Sequence, residues 1–162
     1  NDKMGIDNKI ENNNPHKNKV HRVLAYSYLV QFALFLMGFF IDLILQFKIS
    51  TSSLATPIGI SSLILGSLLI LWAQITSYNF KKENITKETF NQGPYRYTRS
   101  PTHFGLFLLM LGFGVIMNTP FVILFTIISF FVSKFVFLNK QETILAEKYG
   151  DPYIEYKKLV KF

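Results

Sequence analysis

From Pro57 to Phe80 the chain carries no charged residue at all. A helix needs about 20 predominantly apolar residues to cross a hydrocarbon core of roughly 30 Å, so this run is long enough to span. Once one segment lies in lipid, every backbone polar group there must be satisfied internally, which leaves helices or a closed barrel as the available architectures. Val23 to Phe47 is a second such run, interrupted only by Gln31, Asp42, Gln46 and small polar residues, and Pro120 to Leu138 is a third. His103 to Met117 is shorter and marginal. Half the chain is hydrophobic (49%) and only 17% is charged, well below the roughly 25% of soluble domains. The expected fold is all-α: a polytopic membrane helix bundle of about four transmembrane helices, spanning about 23–47, 57–80, 103–117 and 120–138. Only Asn118-Thr119-Pro120 separates the last two, and these residues suit a helix end, a cap and a first turn, so a tight hairpin is expected.

The positive charges predict an orientation. Lys3, Lys9, Lys17, Lys19 and Arg22 precede the first span; Lys81, Lys82, Lys87, Arg96 and Arg99 lie between the second and third; Lys140, Lys148, Lys157, Lys158 and Lys161 follow the fourth. The opposite loops hold only Lys48. By the positive-inside rule both termini, the loop 81–102 and the tail 139–162 face the cytoplasm. The net charge of +7 is then explained by anionic lipid headgroups rather than nucleic acid. Residues 1–21 read as a disordered polar arm ahead of one membrane-embedded domain, 22–162. There is no cysteine, and the three histidines are too scattered for a metal cluster.

The tail has its own pattern. Gln141 to Tyr149 extends the last helix, Gly150 terminates it, and Asp151-Pro152 opens a short amphipathic helix with Tyr153, Tyr156, Leu159 and Val160 on one side and lysines on the other. That segment is expected to lie over the cytoplasmic mouth of the bundle. Tyr153 and Tyr156 read as interfacial packing, and Gly112-Phe113-Gly114 as close helix packing.

Gly93-Pro94-Tyr95-Arg96-Tyr97-Thr98-Arg99-Ser100-Pro101-Thr102-His103-Phe104-Gly105, an apolar hairpin, Gln141-Glu142, and Tyr149-Gly150-Asp151-Pro152-Tyr153-Ile154-Glu155-Tyr156 follow one another in order. Over about residues 80–162 this resembles the isoprenylcysteine carboxyl methyltransferase family and its phospholipid methyltransferase relatives. In that family the first block usually reads Gly-x-Tyr-x-x-x-Arg-His-Pro-x-Tyr-x-Gly and the second carries paired glutamates. The resemblance implies an integral membrane enzyme that transfers a methyl group from S-adenosylmethionine to a lipophilic acceptor drawn from the bilayer. It maps cofactor contacts onto Tyr95, Arg99, Ser100, Pro101, Thr102, His103, Gln141 and Glu142, with Thr89 and Phe90 upstream. Arg99, Glu142 and His103 are the catalytic candidates, His103 standing where the family typically has Tyr.

Each of those positions also has a plainer reading. Arg99 can pair with a carboxylate or reach lipid phosphate. Glu142 can bind the cofactor or be a solvated tail carboxylate. His103 can be a general base or a residue of the membrane edge. Lys134 can snorkel or meet an acidic substrate group, and Asp42 is expected near the opposite interface, as a weak site candidate. The chain departs from the family pattern at Ser100 for the motif His, His103 for the motif Tyr and Gln141 for the first glutamate. Phe137 stands where the eukaryotic prenylcysteine enzymes carry an arginine for the substrate carboxylate. These departures keep a second reading open, a non-catalytic membrane binding or regulatory protein on the same scaffold, and they leave the acceptor open among a carboxylate, an amine and a thiol.

Overall fold

The computed structural model describes residues 15–48, 54–78 and 86–160, and helix is the only regular secondary structure among them. Helix α1 runs Pro15–Leu45, α2 Ala55–Tyr78 and α3 Lys87–Phe90; a 3-10 turn covers Gly93–Arg96. Then come α4 Pro101–Met117, α5 Pro120–Val132, a π-helical stretch Ser133–Leu138, α6 Asn139–Tyr149 and α7 Asp151–Leu159. Three helices are long and apolar enough to cross a membrane, and α4 is the shorter apolar one. The chain is a polytopic membrane helix bundle. Most of the arm read as disordered lies outside the described residues, but α1 already begins at Pro15. A proline suits the first turn, where its missing N–H loses nothing.

Lipid gives apolar side chains no reason to leave it for a protein interior, so the helices associate through small and polar residues. Helices α2 and α4 meet through two reciprocal glycine pairs. A Cβ placed on Gly66 would sit 2.7 Å from the Gly105 carbonyl, and one on Gly112 would sit 2.7 Å from the Gly59 carbonyl. Backbone touches backbone there, which accounts for the expected packing role of Gly112. The Ser62 hydroxyl adds a bond to the Leu108 carbonyl (3.3 Å).

Helix α1 packs on α5 by a different device. Ser27, Gln31, Gly38 and Asp42 recur four, seven and four residues apart, hence on one face, and all are buried. Gly38 and Asp42 meet Val122, and Ser27 meets Ser133; with Thr126 and Ser129 these form the buried stripe of α5 and its π-helical continuation. At the end remote from the polar loop, Asp42 accepts the backbone N–H groups of Phe121 (3.2 Å) and Val122 (2.9 Å). An anion at a helix N-terminus satisfies orphan donors and opposes the helix dipole.

That arrangement alters the expected hairpin. Asn118 takes the left-handed conformation that ends α4 (φ 54°), as its sequence suggested. Thr119, expected to cap α5, instead turns its hydroxyl back to the Gly114 carbonyl (3.2 Å). The capping role passes to Asp42, whose ionised carboxylate can take two donors at once. Beyond α5 the helix does not stop at Leu138, where the apolar run ends, but continues through the π-helical stretch to Tyr149. It thereby carries Gln141 and Glu142 out to the polar end of the bundle.

Candidate functional site

The polar loop and the tail come together at that end. A core of Tyr153, Tyr156 and Val160 packs against Phe90, Tyr95, Leu145, Ala146 and Tyr149. Phe90 is its hub: its ring meets Tyr149 and Tyr153 edge-on at 5.1 and 5.4 Å between centroids. The Tyr156 hydroxyl donates to the Tyr95 carbonyl (2.7 Å), and Lys87 pairs with Glu155 (3.5 Å). Tyr153 and Tyr156 are therefore packing residues, although what they seal is the loop against the tail. Burial, above all, holds both phenols well above their ordinary ionisation range, with the Glu142 carboxylate adding to it. Burial also raises Tyr95, whose phenol lies among the Ser77 and Thr102 hydroxyls.

Beside this core lies a charge cluster. Arg99 Nη1 approaches Glu142 Oε1 at 2.6 Å, and Lys157 Nζ approaches Glu142 Oε2 at 2.8 Å. The Glu142 side chain is only 4% exposed, against 14% for Arg99 and 48% for Lys157. Of the two readings of each residue, the structure thus joins Arg99 to a carboxylate and removes Glu142 from solvent. Gln141, one residue earlier on α6, is half-buried.

A cavity of about 420 Å³ opens between the motif segment, α2 and the last long helix. Pro94, Tyr97, Thr98, Ser100 and His103 form its polar-end wall; Leu69 and Trp72 come from α2; Phe104, Phe130, Ser133, Lys134 and Leu138 complete it. The volume falls in the usual range for small-molecule sites. Its walls are mostly apolar, its one charged residue is Lys134, and no carboxylate lines it. The π-helical stretch supplies Ser133, Lys134 and Leu138, in keeping with the concentration of such irregular turns at functional sites.

His103 belongs to this wall, not to an exposed membrane edge. It is 6% exposed, its Nε2 lies 2.9 Å from Ser27 Oγ, and its ring lies 5.1 Å from that of Tyr28. Thr102, next to it, is half-buried near the Tyr28 and Tyr95 hydroxyls. Pro101 is buried in the first turn of α4. Thr89 and Phe90 lie elsewhere: the Thr89 hydroxyl accepts the Thr86 N–H at the start of α3 (3.2 Å), and Phe90 fills the aromatic core. So the structure brings Ser100, His103 and Lys134 to one cavity, and Arg99 and Glu142 to an ion cluster. Ser27, Tyr28, Trp72 and Ser133 are site neighbours the sequence reading passed over. The available signal was Ser27 with Gln31, two polar residues one turn apart in an otherwise apolar span.

Fold and site together define an integral membrane protein with a ligand-sized, largely apolar cavity at the motif segment, beside a buried ion cluster. The profile of the phospholipid methyltransferase family matches residues 54–152, and the chain belongs to that family. It is thus a member of a family of membrane methyltransferases, enzymes that generally use S-adenosylmethionine. Neither the curated proteins nor the solved structures contain a match to it. The matched stretch takes in α2 and everything from the motif segment to the start of α7, while α1 precedes it.

Proposed function

We propose that this chain transfers a methyl group from S-adenosylmethionine to a lipophilic acceptor at the cytoplasmic membrane interface, in the manner of the isoprenylcysteine carboxyl methyltransferases. The observation that carries the reading is the composition of the single cavity wall. The family's motif positions Ser100 and His103 face the same space as Leu69, Trp72, Phe104 and Phe130. A polar cofactor and an apolar acceptor have to meet across such a boundary.

The residues present fit the cofactor in kind. Its carboxylate and ammonium find opposite charges in Arg99 and Glu142, its hydroxyls find Ser100 and Thr98, and its flat base finds aromatic neighbours in the motif segment. The cofactor supplies an already activated methyl on a sulfonium, so no covalent nucleophile is needed. The protein's own contribution is alignment and exclusion of water, which Trp72, Phe104 and Phe130 provide. Lys134 at the cavity offers a cation to an acidic group on the acceptor. The distribution of Lys and Arg supports a cytoplasmic side for the loop, the tail and both termini.

One observation favours the non-catalytic alternative: Glu142 already has two cationic partners, Arg99 and Lys157, and Gln141 replaces the first carboxylate of the family pair. Calorimetry on the full chain in detergent separates the readings. Saturable binding of S-adenosylhomocysteine is expected, followed by transfer of labelled methyl from S-adenosylmethionine into a lipid extract. Absence of binding would rule out the enzyme.

A further inference from the structure

The cavity is walled largely by hydrocarbon, and that wall reaches the surface of the bundle. Leu69 and Trp72 come from α2, Phe104 from α4 and Phe130 from α5. Helix α4 packs on both α2 and α5, but those two share no packed seam of their own, so the cavity occupies a gap between them. Trp72 is 48% and Phe104 41% exposed, which makes both part of the cavity lining and of the lipid-facing surface. We propose that this cavity binds a single-chain amphiphile with a carboxylate head. It enters sideways from the bilayer, lays its chain among Leu69, Trp72, Phe104 and Phe130, and sets its head against Lys134. As the identity of the methyl acceptor this rests on the methyl-transfer reading above; as a binding site it stands on the cavity alone.

Size sets the number of chains. About 420 Å³ lies near the lower end of the roughly 300–1,000 Å³ of small-molecule sites, room for one chain rather than for a two-chain lipid. A wholly polar ligand would lose its hydration to carbon with nothing in return. The chain alone does not select a ligand, however: lipid tails are as apolar as leucine, so an alkyl chain gains little by moving from the bilayer into the cavity. Selection therefore falls to the head.

There the charges are one-sided. Lys134 is the one charged residue of the lining, and among the described residues no carboxylate lines it. An amine head would meet a like charge and find no anion, whereas a carboxylate would pair beside hydrocarbon, where salt screens little. The Thr98 and Ser100 hydroxyls belong to the same lining and can donate to its oxygens. A carboxylate brings one negative charge to one lysine, while a phosphate monoester brings about −1.5 to −2. At neutral pH the carboxylate also arrives ionised, so an acceptor of this class asks for no base.

Trp72 is the only tryptophan of the chain and lines the cavity, so its fluorescence reports occupancy directly. The full chain in detergent micelles is titrated with a fatty acid brominated along its chain, and with the amine, the alcohol and the phosphate monoester of the same brominated chain. All four quench the lipid-facing side of Trp72 in proportion to their share of the micelle. Only the acid is expected to add a saturable component, displaced by the same acid without bromine. Lys134→Met should weaken that component by at least about fivefold, the ceiling for an ion pair in open water, while Lys134→Arg keeps it. Thermal melts confirm that both variants fold. Saturable quenching by the amine or phosphate as strong as by the acid overturns the proposal, as does an acid preference that survives Lys134→Met, or no saturable component at all. If S-adenosylhomocysteine binds but the acid is not selected, this inference alone falls. If the acid is selected but S-adenosylhomocysteine does not bind, the site stands and the methyl-transfer reading falls.

Discussion

The buried charge cluster predicts an unequal division of energy between its two legs. Glu142 is the shared acceptor: its side chain is 4% exposed, Arg99 is 14% exposed and Lys157 is 48% exposed. Glu142→Gln takes the carboxylate charge from a guanidinium with little access to water, and removing one member of a buried pair costs about 3–5 kcal/mol. The 2.6 Å contact is a close ion pair without the alignment of a straight hydrogen bond, which puts the expected loss near the lower limit, about 3 kcal/mol. Lys157→Met removes only the half-exposed leg, where solvent screening reduces a pair to about 0–1 kcal/mol. Both changes act on docking of α6 and α7 against the loop, so cleavage by trypsin at Lys158 reads them out. Where opening is fast, cleavage tracks the open population. At about 1.4 kcal/mol per tenfold, Glu142→Gln should speed cleavage by roughly a hundredfold. Lys157→Met should speed it by no more than about fivefold. Equal acceleration by the two substitutions would show that burial does not set the energetics of this cluster.

Gly66→Val should lower the melting temperature of the protein in detergent, because its Cβ would stand 2.7 Å from the Gly105 carbonyl and 3.0 Å from the Leu109 nitrogen, and backbone cannot swing aside. Forced overpacking of this kind costs about 1–3 kcal/mol, and an unchanged melt would disprove the backbone contact between α2 and α4. Alkaline pH should undock the tail. Tyr153 and Tyr156 are held protonated by burial, whereas in the undocked tail they ionise near their ordinary value of 10.0, so docking is fully stable below that pH and weakens as pH rises above it. Phenolate absorbance should therefore show these two titrating only as the tail releases, and Tyr153→Phe with Tyr156→Phe should remove that pH dependence; smooth titration of every tyrosine near pH 10 would contradict it.

What could be read in the sequence follows from what a bilayer enforces. Lipid demands long apolar helices, so the spans, the hairpin at Asn118 and the continuation through Gln141 to Tyr149 were legible from composition and turn chemistry. The inward face of each span was not. In a soluble helix the buried stripe is apolar and the other face polar, but a membrane helix is apolar on both, and only its rare polar residues mark the inside. Asp42 shows the consequence: expected near the opposite interface, it gave no sign from sequence that it caps a helix about eighty residues away. Phe90 shows it from the other direction, since its aromatic neighbours come from α6 and α7 and arrive only when the tail folds back. His103 combines both cases. Its spacing put it at the entry to a span, and the Ser27 hydroxyl that meets it there sits on α1, outside the family-matched residues. A motif fixes which side chains a site has; the helix packed behind it decides how deeply they are buried and what they meet there.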